Sequence, residues 1–215
     1  MPYNQTIHGF LLLAPVFIVS LTLHELAHAL TAYRLGDRTA AEMGRLTLNP
    51  LKHLDPLGSL FLVLSYFSGW FLFGWAKPVP VDPRNLRATP QVGMALVGIA
   101  GPITNFLLAI LAAAVFAHAD LTGDAFIIGY YAISINVILG VFNLFPIPPL
   151  DGSRIIGGFM PRDVYRQWAA LDRYGMYALF AIFIFFSGPF STLLTSGYDH
   201  VLRAISAVVG GQPLV

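Results

Sequence analysis

The chain has 215 residues, a formal net charge of +1 and no cysteine; 56% of its residues are hydrophobic and 11% charged. A soluble domain carries about a quarter charged residues, so this balance excludes one and describes a membrane protein. The even charge, without basic runs interleaved with aromatics, gives a nucleic acid nothing to bind, and the missing cysteines exclude disulfides and thiolate metal sites, leaving His, Asp and Glu as the available zinc ligands.

The first apolar segment, 8–33, has the roughly twenty apolar residues that a bilayer crossing needs. It reads as a retained span, since no basic n-region precedes it and no small-residue cleavage site follows. Late in it stands His24-Glu25-Leu26-Ala27-His28. Histidines four apart lie on one helix face, so both imidazoles can reach one metal ion, with Glu25 beside them as a general base. Ionisable groups at membrane depth cost about 2.5–3.5 kcal/mol each on insertion scales, so they normally face a protein interior or a water-filled cavity.

Two short stretches, 44–48 (GRLTL) and 76–81 (AKPVPV), have strand-like character. Between them, 57–75 is apolar but interrupted by Gly58, Ser65, Ser68, Gly69 and Gly74. Segments 92–117, 125–145 and 174–194 read as further spans. The third span closes on Asn143-Leu144-Phe145-Pro146-Ile147-Pro148-Pro149-Leu150-Asp151-Gly152, whose prolines must break the helix. Broken backbone at membrane depth is tolerated where it lines a cavity, and a catalytic zinc needs a third protein ligand; Asp151 is the best candidate. The stretch 153–173 is charged and reads as a solvent-facing connection or surface helix, and 198–209 as a short interfacial helix. His53 falls in a loop and is expected to be solvated, and His8, His118 and His200 sit near segment ends.

The expected architecture is therefore all-α and polytopic, with about four spanning helices, a re-entrant or broken hydrophobic segment and short β-like extended segments. It forms a single membrane-embedded domain over 1–215, with a core at 10–158 and a C-terminal helix and tail at 174–215. Lys and Arg gather after the first span, before the second and after the third, whereas 118–124 has none. The positive-inside rule puts the three basic regions in the cytoplasm and the ligands toward that face of the cell membrane. A single crossing by 57–75 would carry Asp151 to the far side, so this stretch is expected to enter and leave on one side, turning near 65–69.

His24 to His28 late in an apolar helix, Gly101-Pro102-Ile103-Thr104-Asn105 opening the next span, and Asn143 to Gly152 together resemble the site-2 protease family of intramembrane zinc metalloproteases, in a short form without the PDZ or CBS modules of many members. The resemblance implies one zinc per chain held by His24, His28 and Asp151, catalysis by Glu25, and a role for Asn143 in positioning substrate or stabilising the oxyanion; capping the broken helix is the other reading of Asn143. Asn105 reads as a packing residue or a substrate contact. The implied reaction is hydrolysis of peptide bonds in or near transmembrane segments of membrane-protein substrates within the lipid bilayer. A membrane metal transporter, or a catalytically inactive membrane binding protein, is the alternative; the absence of Asp, Glu, Lys and Arg from the second and fourth segments disfavours the first and an intact Glu25 the second.

Overall fold

The computed structural model describes residues 6–69 and 72–210. Helix α1 (Ile7–Arg34) opens on Thr6, whose hydroxyl accepts from the Gly9 N–H at 3.1 Å and satisfies a free amide of the first turn. At its other end, after Gly36 turns the chain with φ +107, comes Asp37, fully buried, then the short α2 (Thr39–Glu42). The Asp37 carboxylate accepts from the Thr39 hydroxyl and N–H, the Asp82 N–H at 2.9 Å and the Asn85 amide at 3.1 Å, which ties 82–85 to the end of α1. Burial pushes this carboxyl up, but the hydrogen bonds outweigh it and hold the group below the usual carboxylate value.

The interrupted segment 57–75 becomes a hairpin. Asp55 caps α3 (Pro56–Ser68) and Pro56 fills its first turn. The helix runs along α1 until Tyr66 meets the Phe10 ring at 5.3 Å and its hydroxyl reaches the Thr6 carbonyl. Gly69 takes φ 72, the left-handed conformation that ends a helix, so the turn begins at the end of the expected interval; Trp70 and Phe71 lie outside the described residues. On the way back the Phe73 N–H donates to the Ser65 hydroxyl at 3.0 Å, Gly74 lies against Leu62, and Gly58 is pressed against the Trp75 carbonyl. Ala76 then pairs with Leu54, and the Lys77 N–H donates to the His53 carbonyl at 2.8 Å. The two ends of the segment are thus neighbours.

Helices α4 (Pro90–His118) and α5 (Gly123–Asn143) cross back and forth beside α1. Their glycines admit close packing: Phe106 occupies the space over Gly140, and Phe116 that over Gly129. After the Pro-rich turn come α6 (Asp151–Gly157) and α7 (Arg162–Ala169), the latter docked by its Trp168 indole N–H on the Ser153 carbonyl at 2.8 Å. Helices α8 (Gly175–Phe185) and α9 (Ser187–Val209) complete the described chain. Leu13, Phe17 and Leu21 of α1 form one apolar cluster with Leu62 and Tyr66 of α3 and Tyr131 and Ile135 of α5. A second joins α4, α5 and α9. The hairpin and α9 therefore flank a central group of α1, α4 and α5.

Among the described residues, four helical runs are long and apolar enough to cross a membrane: Ile7–Arg34, Pro90–His118, Gly123–Asn143 and Arg162–Phe185. The protein is an all-α, multi-pass membrane protein. The first three runs match the expected spans closely; the fourth does not. It consists of α7, a 3-10 stretch (Ala170–Tyr174) and α8, and the expected helix over 174–194 is broken at Phe186. Ser187-Gly188-Pro189 follows the break, and proline fits only the first turn of the new helix, where its missing N–H leaves no hydrogen bond unmade. The expected interfacial helix at 198–209 is instead the C-terminal half of α9, packed on α4 and α5. Among the described residues there is no strand, only the isolated Leu54–Ala76 bridge; Pro78 and Pro80 lack the N–H groups that a ladder would need. His53, expected to be solvated, is fully buried and its Nε2 lies 2.9 Å from the Thr47 carbonyl.

Candidate metal centre

One helix supplies two of the converging groups. His24 and His28 stand a turn apart on α1 with their Nε2 atoms 3.0 Å from each other. Asp151, the first residue of α6, brings its Oδ2 to 3.1 Å from the His24 Nε2 and 3.2 Å from the His28 Nε2. All three residues are buried, and they form a group that could hold a metal ion. Local sequence makes the approach possible. Gly152 lies against the Leu144 and Phe145 carbonyls, where a Cβ has no room, and Gly98 of α4 packs on the Arg154 Cβ and the Asp151 carbonyl. Arg154 extends its Nη1 to 3.8 Å from the other Asp151 oxygen.

The far side of each imidazole fixes its proton. The His28 Nδ1 lies 2.7 Å from the Val97 carbonyl, which can only accept, so that nitrogen carries hydrogen. The His24 Nδ1 lies 2.6 Å from Asn105 Oδ1; Asn105 in turn donates its amide to Asn136 Oδ1 at 2.8 Å, and Asn136 donates to the Ser20 hydroxyl at 2.9 Å. In the neutral form each ring would then turn its Nε2 lone pair toward the other ring and toward a carboxylate oxygen that has no hydrogen-bond partner of its own. Three such electron-pair donors converging on one point would fit a cation between them. Their mutual spacing also fits, since ligands on a tetrahedral zinc sit about 3.3 Å apart.

Glu25 is buried beside His24, and its Oε2 accepts from the Val79 N–H at 3.2 Å. Flanking Pro78 and Pro80 have no N–H, so Val79 is the lone donor of that tripeptide. Asn143 stands at the end of α5 with its amide turned back on the Leu139 carbonyl at 3.0 Å. The expected ligands and Glu25 are thus brought together, while Asn143 bonds its own helix. Asn105 does more than pack, because it orients His24. Asn136 and Ser20 were not singled out from the sequence, where a lone polar residue in an apolar helix was the signal.

Over 209 residues the chain is 37% identical to "Putative zinc metalloprotease YwhC" of Bacillus subtilis, covering 92% of this chain and 91% of that protein. The chain belongs to peptidase family M50, the site-2 protease family. The model of Peptidase family M50 matches residues 121–186, which include Asp151. Two proteins described as "Putative zinc metalloprotease Rip2" are also similar. That of Mycobacterium tuberculosis is 29% identical over 213 residues, 93% of this chain and 80% of the relative. That of Mycolicibacterium smegmatis is 32% identical over 182 residues, 81% and 67% respectively. No solved structure matches.

Proposed function

We propose that this metalloprotease of the membrane cuts peptide bonds in or near transmembrane segments of other membrane proteins, with one zinc held by His24, His28 and Asp151. The observation that carries the reading is the convergence of two imidazole Nε2 atoms and an unpartnered carboxylate oxygen within a buried group. Zinc bound there supplies a Lewis acid that polarises a carbonyl and acidifies water. Glu25 accepts the proton of the attacking water and delivers it to the leaving amine; the Val79 N–H holds its carboxylate in place meanwhile. Asn143, once rotated off the Leu139 carbonyl, donates to the developing oxyanion. The shielded group excludes bulk water, which strengthens each of these interactions.

The site faces the cytoplasm in this reading. His8 and Asp124 meet at 2.9 Å, so α1 and α5 begin at one end of the molecule, next to the connection without Lys or Arg. The basic loops lie at the other end, where the ligands are. The hairpin is re-entrant from that same side: α3 has 13 residues, about 20 Å of helix against about 30 Å of hydrocarbon, and its return limb comes back beside its start.

Purified protein in detergent, assayed for zinc and for cleavage of a reporter transmembrane helix, tests the reading. Glu25→Gln is expected to keep stoichiometric zinc and lose cleavage by at least a hundredfold. Normal cleavage by that variant, or zinc retained in full by Asp151→Ala, would overturn the assignment.

A further inference from the structure

Helix α9 has 23 residues, about 35 Å at 1.5 Å per residue, yet it is not among the four apolar runs. It nevertheless lies at the depth of the spans. Phe190 packs on Phe145 at 4.9 Å near the end of α5, Gly197 lies against Val141, and the Tyr198 hydroxyl meets that of Ser134, midway along α5, at 3.1 Å. Farther on, Leu202 and Ile205 share a cluster with Ala109 and Ala113 of α4. The inward side of α9 is apolar. Its outward side exposes Leu193 and Val208 together with Ser191, Thr192, Thr195, Ser196, His200 and Arg203, and Asp199 is half-buried beside them.

Polar and ionisable groups at membrane depth face protein or a water-filled cavity, and pair with one another. Here the side-chain hydrogen bonds they make stay within α9 itself, the Ser191 and Thr192 hydroxyls both donating to the Gly188 carbonyl. The Asp199 carboxylate makes no hydrogen bond or ion pair among the described residues; Arg203 donates its Nε to the Asp199 main-chain carbonyl at 3.2 Å, and the His200 Nδ1 donates to the Ser196 carbonyl at 2.7 Å.

We infer that this face is covered in the bilayer by α9 of a second copy of the same chain. Two copies inserted with one orientation can be related only by an axis along the membrane normal, so the two helices run parallel and the same patch meets itself. Such a patch must be complementary to itself: identical residues stand level with one another, and the long Arg203 side chain of each copy can reach one turn back to Asp199 of the partner subunit. A face of one sign would repel its own copy. Gly188, Thr192 and Ser196, spaced every fourth residue, let the two backbones approach closely.

Because the chain has no cysteine, single cysteines report the contact without background. In membranes containing the full chain, oxidation should give a band of twice the monomer mass from Thr192→Cys and Ser196→Cys, and none from Leu194→Cys or Leu202→Cys, which face inward. Added to Thr192→Cys, Arg203→Asp alone should cut that band at least tenfold, and the exchange of both charges (Asp199→Arg with Arg203→Asp) should restore it. Helicity and zinc content, measured alongside, identify any variant that has simply failed to fold. Equal crosslinking from inward and outward positions, no dimer from any outward position, crosslinking to a different protein instead, or failure of the charge exchange in a folded protein would each overturn the inference.

Discussion

At Gly101 a Cβ would stand 2.5 Å from the His28 Nε2 and 2.6 Å from the His24 Nε2, closer than real Cβ contacts come. Neither ring can swing away cheaply, because its Nδ1 is bound to Asn105 or to the Val97 carbonyl. Gly101→Ala should therefore lose most of its zinc while keeping its helicity; full zinc content by metal analysis would show that the rings yield. Asn105→Ala removes the acceptor that sets the His24 tautomer, and outer partners of this kind are worth about 10–100-fold in metal affinity. Competition with a chromophoric chelator would measure it, and Asn105→Asp, which keeps an acceptor, should bind better than Asn105→Ala. The His24–His28 pair was legible from the sequence because four-residue spacing on a helix has a fixed geometric meaning, and Asp151 as a candidate because the prolines before it break the helix. The Val97 carbonyl and the pairing of Asn105 with His24 were not, since both arise only when α4 packs against α1. The burial of His53 has the same origin: a hairpin returning over 76–77 closes a place that the local sequence leaves open.

Among the elements, the hairpin carries the sharpest expectation. Lys52 and Lys77 are exposed on either side of it. Single cysteines at both positions should be labelled by a membrane-impermeant reagent from the cytoplasmic side, and external labelling of Lys77→Cys with internal labelling of Lys52→Cys would mean one crossing and no re-entry. This path followed from counting crossings between His24 and Asp151, a constraint that covers the chain as a whole and needs no local signal. The break at Phe186 was hidden for the opposite reason. Hydropathy continues smoothly from Phe183 to Phe186, and only the placement of Pro189 in a first turn separates α8 from α9. The strand-like pattern of 76–81 misled in turn, because alternation specifies a strand only where a neighbouring ladder is available.

For the molecule as a whole, the metal would join the first long helix to a short helix that follows three spans. A ligand that binds only the folded state at a hundred times its dissociation constant stabilises it by about 2.7 kcal/mol. Chelation should accordingly lower the thermal midpoint of the wild-type protein in detergent and leave that of Asp151→Ala unchanged; an equal drop in both would place the chelated ion elsewhere. The hydrogen-bonded series Ser20, Asn136, Asn105 and His24 takes its members from α1, α5, α4 and α1 again. Helices accommodate a bilayer thinner or thicker than themselves by tilting, and a tilt of α5 against α1 strains the Asn136 bonds first and the His24 ring two links later. Any shift of α5 against α1 would therefore be felt at the His24 imidazole through two hydrogen bonds.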